Sequence, residues 1–210
     1  MEEIKAYYAL TRKVFDFLAP FYNLMTLPLV RVRRQVVDFA NLGKDASVLD
    51  VATGTGQQAF AFAKRGYDVI GIDLTEAMLD IARKNNKTET AKFEAADATQ
   101  LRFENNCFDV TCISFALHDM PLTIREKVLQ EMARVTKPEG VIVIVDYDLP
   151  HNKFGRALIY RLVSLYEGEY YQQFIVSDLE ALFRKTRIET ERKLSVLLGA
   201  GKIFIGRKIS

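Results

Sequence analysis

The segment from Val48 to Gly56 constrains the fold of this chain more than any other. It reads Val-Leu-Asp-Val-Ala-Thr-Gly-Thr-Gly, a short apolar strand that carries Asp50 and runs into the glycine turn Gly54-Thr55-Gly56. An apolar helix follows it, from about Ala59. Glycines at a strand-to-helix turn let the backbone approach a ligand closely and direct free N–H groups at it. Because a carboxylate repels a pyrophosphate at close range, Asp50 favours a ligand that carries an ammonium or sulfonium group.

Length and composition exclude several classes of protein. The 210 residues suit one domain with a substantial core, and a net charge of +2 without any block of like charge argues against a nucleic-acid partner. Cys107 and Cys112 match no metal-binding spacing, so we expect reduced, buried thiols and no metal site. The acidic start Met1-Glu2-Glu3 and the lack of an apolar run of about 18 residues predict a cytoplasmic protein without a leader or a membrane span.

Strands and helices alternate from Ser47 onward, after two N-terminal helices. The apolar spacing predicts that the first helix ends at about Ala19-Pro20, where proline disrupts it, and that a second runs from about Pro28 to Phe39. The predicted strands are Val48–Val51, Asp68–Ile72, Lys92–Ala95, Phe108–Ser114 and Val141–Val145, and helices cover Thr75–Lys84 and the stretch after Pro121. This alternation predicts an α/β fold with a parallel sheet that carries helices on both faces.

The C-terminal part departs from that alternation. A helical stretch covers Phe154–Tyr166, and Ser177-x-x-Glu180 is a capping-box pattern that starts a helix through Phe183. Glu189–Leu197 and Lys202–Arg207 flank a glycine-rich turn and predict a β-hairpin. We therefore expect a doubly wound, mostly parallel seven-stranded sheet closed by an antiparallel hairpin. The expected parts of this single domain are an N-terminal helical cap at 1–46, a core at 47–148, a second cap at 149–176, and a helix with the hairpin at 177–210.

Acidic or polar residues stand at the carboxyl ends of four predicted strands, where open parallel sheets bind ligands. Asp50 precedes the glycine turn, and Asp73 ends the second strand, where a carboxylate can bind both hydroxyls of a ribose. Asp97-Ala98 follows the third strand, and Ser114 with Leu117-His118-Asp119 follows the fourth. This set predicts a nucleoside-bearing ligand that lacks phosphates.

These residues resemble the class I S-adenosylmethionine-dependent methyltransferases, and most closely the C-methyltransferases of ubiquinone and menaquinone biosynthesis. The segments Val14–Met25 and Ile113–Leu117 are similar to two motifs of that family. The resemblance implies a Rossmann-like methyltransferase fold and S-adenosyl-L-methionine as the cofactor. By position it implies that Gly54 and Thr55 contact the methionyl part, Asp73 the ribose, and Asp97 with Ala98 the adenine, while Ser114 lies beside the cofactor. The same site is expected to include Asp50, Ala52, Gly56 and Leu74.

Two positions differ from the quinone enzymes. Thr53 replaces a glycine, which we expect to alter only a backbone detail, and His118-Asp119 replaces Arg-Asn next to the expected acceptor. We predict that His118 is a general base oriented by Asp119, with a histidine that only shapes the pocket as the open alternative. Tyr8, Tyr22 and Leu117 are expected to line the acceptor pocket. The acceptor is expected to be a lipophilic quinone, phenol or phospholipid amine, with a small polar metabolite as an open alternative.

Other interpretations remain open from the sequence. The pattern Gly54-x-Gly56-x-x-Ala59 with Asp73 beyond it also fits an NAD-linked oxidoreductase, and a non-catalytic module that binds the cofactor is a further alternative. Asp50 could simply cap its turn, and Asp73 could cap the next helix. The aromatic N-terminal helix either packs on the domain or forms a lid over an apolar pocket. A homodimer, and a transient membrane contact through Arg31, Arg33 and Arg34, are also open. His151 is expected to face solvent.

Overall fold

Seven strands form one mixed sheet in this computed structural model, which describes residues 2–41, 43, 45–149, 160–161 and 169–209. The strands are β1 (Ser47–Val51), β2 (Asp68–Asp73), β3 (Ala91–Ala95), β4 (Phe108–Ser114), β5 (Thr136–Tyr147), β6 (Ile188–Val196) and β7 (Gly201–Lys208). Their order across the sheet is β3-β2-β1-β4-β5-β7-β6, with β7 antiparallel to both neighbours and the other pairs parallel. The predicted fold class and the terminal hairpin are therefore confirmed.

Seven α-helices flank the sheet within the described residues. They are α1 (Glu2–Met25), α2 (Val30–Ala40), α3 (Gln57–Ala63), α4 (Glu76–Asn85), α5 (Leu122–Val135), α6 (Glu169–Ile175) and α7 (Leu179–Lys185), joined by 3-10 turns at Leu27–Leu29, Leu117–Asp119 and Leu197–Gly199. None of these helices combines the length and the apolar character needed to cross a bilayer.

The core has two halves because successive strand residues point to opposite faces of the sheet. Val48 of β1 belongs to the half beneath α2, α3 and α4, whereas Leu49 belongs to the half beneath α5 and α7. Apolar residues on both faces are what a central parallel strand requires. The carboxyl ends of β1, β2, β3 and β4 consequently meet at one edge, under the N-terminal helix.

The prediction that the first helix ends at Ala19-Pro20 is wrong, because α1 continues through Pro20 to Met25. Proline removes one backbone hydrogen bond and crowds the preceding turn. Here Pro20 faces solvent, whereas Ala19 and Tyr22 on the inner side of the helix are shielded by the domain. Packing of that inner face stabilises the helix beyond the local defect.

Two other local predictions also need correction. Asp178 rather than Ser177 caps α7, since its side chain accepts the N–H of Ala181, while the hydroxyl of Ser177 donates to the carbonyl of Phe174. The last strand before the hairpin was predicted as Val141–Val145, whereas β5 already begins at Thr136. Phe108 pairs with Thr136 and Val110 with Val141, so the four residues between them bulge out of the ladder.

Part of the expected second cap lies outside the described residues. This concerns His151 and most of the helix expected over Phe154–Tyr166. The division of the chain into two caps and a core stays a prediction.

Candidate active site

One cavity lies at the carboxyl ends of β1 to β4, between the sheet, α1 and α5. Nine predicted site residues line it: Tyr8, Tyr22, Ala52, Gly54, Asp73, Leu74, Asp97, Ala98 and Asp119. Its other walls are mostly apolar or aromatic and come from Tyr7, Thr11, Phe15, Ile72, Met78, Ala96, Thr99, Phe115, Ala116, Met120, Ile124 and Val128. The cavity thus combines three carboxylates with walls that are mostly apolar and aromatic.

Asp73 ties the end of β2 to the glycine turn. Its two carboxylate oxygens accept the backbone N–H groups of Gly54, at 2.8 Å, and Thr75, at 2.9 Å. Burial raises the pKa of Asp73, and these N–H donors oppose that shift by stabilising the anion. The expected contact with the start of α4 is therefore present, and the same carboxylate still faces the cavity.

The backbone of the turn after β1 is left-handed at three positions. Ala52, Gly54 and Gly56 have φ values of 53°, 54° and 78°. A Cβ on Gly56 would lie 2.8 Å from Cζ of Phe93, so this position has no room for a side chain. Phe115, which also lines the cavity, has a positive φ of 52°. Non-glycine residues held in this region store strain, which is concentrated at functional sites in proteins.

Asp50 does not line the cavity. It lies within β1, is 1% exposed, and accepts the Thr53 hydroxyl at 2.5 Å and the backbone N–H of Ala59. Burial raises its pKa to about 7, although both hydrogen bonds and the charge of Arg33 lower it. Asp50 therefore holds the turn together, and Thr53 contributes a side-chain hydrogen bond rather than only the expected backbone detail.

Thr55 and Gly56 lie behind the cavity wall. The Thr55 hydroxyl is fully buried and donates to the side-chain oxygen of Asn23 at 2.6 Å. This bond fastens the last turns of α1 to the glycine loop. The inner face of α1 therefore both packs on the domain and covers the cavity, which combines the two alternatives for the N-terminal helix.

Asp97 already has partners at the end of β3. The Tyr8 hydroxyl donates to its Oδ2 at 2.9 Å, and the backbone N–H and hydroxyl of Thr99 donate to its Oδ1 at 2.8 and 2.7 Å. Tyr8 thus links α1 to a residue expected to bind the cofactor. Oδ2 accepts only one of these bonds and keeps a second lone pair, so Asp97 can still accept from a ligand through that oxygen.

His118 lies behind the cavity rather than in its lining. Its side chain is 4% exposed, and Nδ1 lies 2.7 Å from Oδ1 of Asp146, a fully buried carboxylate of β5. Nε2 lies 3.6 Å from Oδ2 of Asp119, which lines the cavity. Asp146, which sequence reasoning did not single out, therefore occupies the orienting position expected for Asp119. Its place directly after the apolar run Val141–Val145 is the signal that could have found it.

Neither of the other two residues expected after β4 lines the cavity. Leu117 is completely buried in the core beside α5, and Ser114 ends β4 without reaching the lining. The buried Arg125 holds this segment by donating to the Leu117 carbonyl at 2.8 Å and the Tyr170 carbonyl at 3.1 Å. Burial lowers the pKa of Arg125 to about 10, so it remains charged at neutral pH. Nothing in the amphipathic pattern of α5 distinguished Arg125 from a surface arginine.

Comparison with known proteins bears on this geometry. A family model described as a methyltransferase domain matches residues 48–140. A chain in the solved complex between the Haloferax volcanii methyltransferase activator Trm112 and a methyltransferase has the same fold, with a TM-score of 0.76 and 17% identity over 95% of this chain and 97% of that one. These matches show that the chain contains a methyltransferase domain and has the Rossmann-like fold of class I methyltransferases.

Sequence relatives narrow the class further. The demethylmenaquinone methyltransferase of Thermus thermophilus is 34% identical over 71% of this chain and 70% of its own length. That of Paenarthrobacter aurescens is 37% identical over 65% of this chain and 54% of its own, so this chain spans about half of that relative. The chain belongs to the family of the ubiquinone and menaquinone biosynthesis C-methyltransferases. This membership favours the methyltransferase interpretation over the NAD-linked oxidoreductase.

Proposed function

We propose that this protein transfers a methyl group from S-adenosylmethionine to a lipophilic acceptor of the quinol or phenol type. The observation that carries the proposal is one cavity in which Asp73 and Asp97 face an apolar and aromatic wall from α1 and α5. Relatives named demethylmenaquinone methyltransferases support a quinone-type acceptor over a phospholipid amine or a small polar metabolite.

The carboxylate side of the cavity fits the cofactor. Asp73 keeps lone pairs for ribose hydroxyls after accepting two backbone N–H groups, and Asp97 with Ala98 can bind an adenine edge. Gly54 has no Cβ, so the backbone next to Ala52 is open to the methionyl part. When bound, the cofactor supplies an electrophilic methyl group on a sulfonium.

The apolar side suits an aromatic acceptor. Phe15, Phe115 and Met120 line it, and Tyr7 closes it from α1. Such walls exclude water and align the reacting ring with the methyl group, which can lower the barrier by several kcal/mol. Positioning is therefore the main contribution that this chain makes to the reaction.

A proton must leave the acceptor during C-methylation. The ring carbon gains the methyl group and its C–H bond breaks, with the electron pair of that bond restoring the aromatic ring. We infer that Asp119, which lines the cavity, takes the proton; Nε2 of His118 lies 3.6 Å from its Oδ2. Catalytic hydrogen bonds are often long in unliganded sites and shorten in the complex. His118, held by Asp146, is then the next acceptor of that proton.

The test is transfer of a labelled methyl group by the purified protein. The acceptors are a short-chain demethylated naphthoquinol, a simple phenol and phosphatidylethanolamine. We expect label on the naphthoquinol ring and none on its oxidised form, because the ring carbon is nucleophilic only in the quinol. Tight binding of S-adenosylhomocysteine without transfer to any acceptor would identify a non-catalytic binding module. Transfer only to phosphatidylethanolamine would overturn the assigned acceptor class.

A further inference from the structure

The outward face of α1 is an apolar stripe exposed to solvent. We use the name apolar stripe for Leu10, Val14, Phe17, Phe21 and Leu24. Their spacing of four and three residues places them along one line of the helix. Phe17 is 75% exposed and Leu24 is 71% exposed, and exposed apolar side chains continue beyond the helix at Leu27 and Val30. A continuous apolar surface of this kind marks an interaction site.

The apolar stripe lies back to back with the candidate active site. The other face of α1 contributes Tyr8, Phe15 and Tyr22 to the cavity. The core therefore does not need the stripe residues, and a single helix separates the cavity from whatever binds the stripe.

A cationic groove adjoins the apolar stripe. Its lining includes Val30, which is also part of the exposed apolar surface, and five cationic side chains: Arg33, Arg34, Lys64, Arg65 and Lys87. No carboxylate is among the residues that line this groove, although Arg65 pairs with Asp38 just outside it. The net positive charge of the chain is concentrated in its N-terminal part. Residues 1–37 carry six cationic and three acidic side chains, whereas the rest of the chain has a net charge of −1.

We propose that the apolar stripe and the cationic groove together dock the protein on an anionic bilayer surface. Amphipathic helices with aromatic and leucine side chains insert their apolar face at the headgroup boundary, and cationic side chains attract anionic lipids. An anionic bilayer supplies the negative charge that complements the cationic groove, which favours a bilayer over a second copy as the occupant. The choice of a bilayer rests in part on the proposed function, because a lipophilic acceptor dissolves in the bilayer that the covering helix would contact.

The test is co-sedimentation of the full chain with vesicles of phosphatidylcholine alone or phosphatidylcholine mixed with phosphatidylglycerol. One variant, Phe17→Glu with Leu24→Glu, alters the stripe, and another, Arg34→Glu with Lys64→Glu, alters the groove. The matched control is Val176→Glu, since Val176 is 73% exposed and belongs neither to the apolar stripe nor to the residues that line the groove. Circular dichroism checks that all variants are folded, and light scattering gives their oligomeric state.

We expect the wild type to bind the mixed vesicles, less strongly at high salt. The stripe variant should bind at least tenfold less, the groove variant should lose the preference for phosphatidylglycerol, and Val176→Glu should bind like the wild type. A wild type that sediments with neither vesicle, or a stripe variant that still binds, would overturn the proposal. A wild-type dimer that the stripe variant dissociates, without vesicle binding, would assign the stripe to a contact between copies. Because the vesicle assay needs neither cofactor nor acceptor, its failure is distinguishable from failure of the methyl-transfer assay.

Discussion

The imidazole Nδ1 of His118 lies 2.7 Å from the carboxylate of Asp146, and both side chains are buried. The same carboxylate accepts the backbone N–H of His118 at 3.2 Å and that of Tyr147 at 2.8 Å. These bonds fix the ring in one orientation, with Nε2 directed towards Asp119 at the cavity. Asp146 on one imidazole nitrogen and the half-buried carboxylate of Asp119 near the other are the groups of the proposed proton path.

We predict that Asp146→Asn lowers kcat by roughly 10²-fold, the scale of a positioned acid–base group. The amide keeps the shape of the side chain but removes the negative charge that stabilises protonated His118. Steady-state rates across pH should show the altered profile, while calorimetry should show unchanged binding of S-adenosylhomocysteine. Asp148→Asn is the control, because Asp148 stands just beyond β5 and pairs with Lys202 at the surface. An unchanged rate and pH profile in Asp146→Asn would mean that the buried pair is only structural.

Asp73→Ala should weaken cofactor binding by ten- to a hundredfold. A hydrogen bond to a charged group contributes about 1.5–3 kcal/mol, and each 1.4 kcal/mol corresponds to about a factor of ten in affinity. The variant also loses the bond that holds the N–H of Gly54. Calorimetric titration with S-adenosylhomocysteine measures the effect, and Asp68→Ala, at the exposed opposite end of β2, is the control. Equal affinities would remove Asp73 from the cofactor site.

The two glycines of the turn should respond differently to alanine. In Gly56→Ala the new methyl group would meet Phe93 at 2.8 Å in addition to the left-handed backbone, so we expect a loss of about 2–4 kcal/mol in unfolding free energy. Gly54→Ala meets only Tyr22, at an ordinary 3.6 Å, so only about 1–2 kcal/mol is expected, with a larger effect on cofactor affinity. Urea unfolding and ligand titration of both variants separate the two effects. A reversed order of stability would contradict the description of this turn.

The buried carboxylate of Asp50 should make stability depend on pH. Burial raises its pKa to about 7, compared with about 3.9 in an unfolded chain, so the folded state retains the proton between these values. Stability from this group therefore falls as the pH rises from about 4 to about 7. Asp50→Asn removes this loss, so its melting temperature relative to the wild type should increase between about pH 5 and about pH 8. If the difference in melting temperature between Asp50→Asn and the wild type does not change with pH, Asp50 does not titrate in this way.

Asp109 should give a pH dependence of stability opposite to that of Asp50. Partial burial raises the pKa of Asp109, but the bonds from Lys137 and Ser47 outweigh it and lower the pKa to about 2. The stabilisation from this carboxylate is present above about pH 4 and is lost as the pH falls towards 2. Asp109→Asn should therefore be destabilising at neutral pH and less so in acid, as thermal unfolding can show. A loss of thermal stability in Asp109→Asn that becomes larger as the pH falls would contradict this assignment.

Local patterns in the chain were sufficient to predict the sheet but not every helix boundary. β4 was predicted at its observed bounds, since its continuous apolar run is what a strand buried on both faces needs. The end of α1 was missed because the rule for proline applies to an isolated helix, whereas here packing of Ala19 and Tyr22 outweighs the defect. The cap of α7 was missed by one residue because Ser177 and Asp178 are both suitable N-cap residues. Only the path of the backbone before α7 decides which side chain reaches the N–H of Ala181.

The sequence by itself determined that acidic residues collect at one edge of the sheet, because the carboxyl ends of parallel strands always meet there. Only the tertiary structure decided which of them face the cavity. Asp73 is the last residue of its strand and lines it, whereas Asp50 lies one residue inside β1 and is buried beneath the turn. The pairing of His118 with Asp146 joins residues 28 apart in sequence, on neighbouring strand ends. Such contacts depend on strand order and helix placement, which arise from packing of the whole core and not from any local pattern.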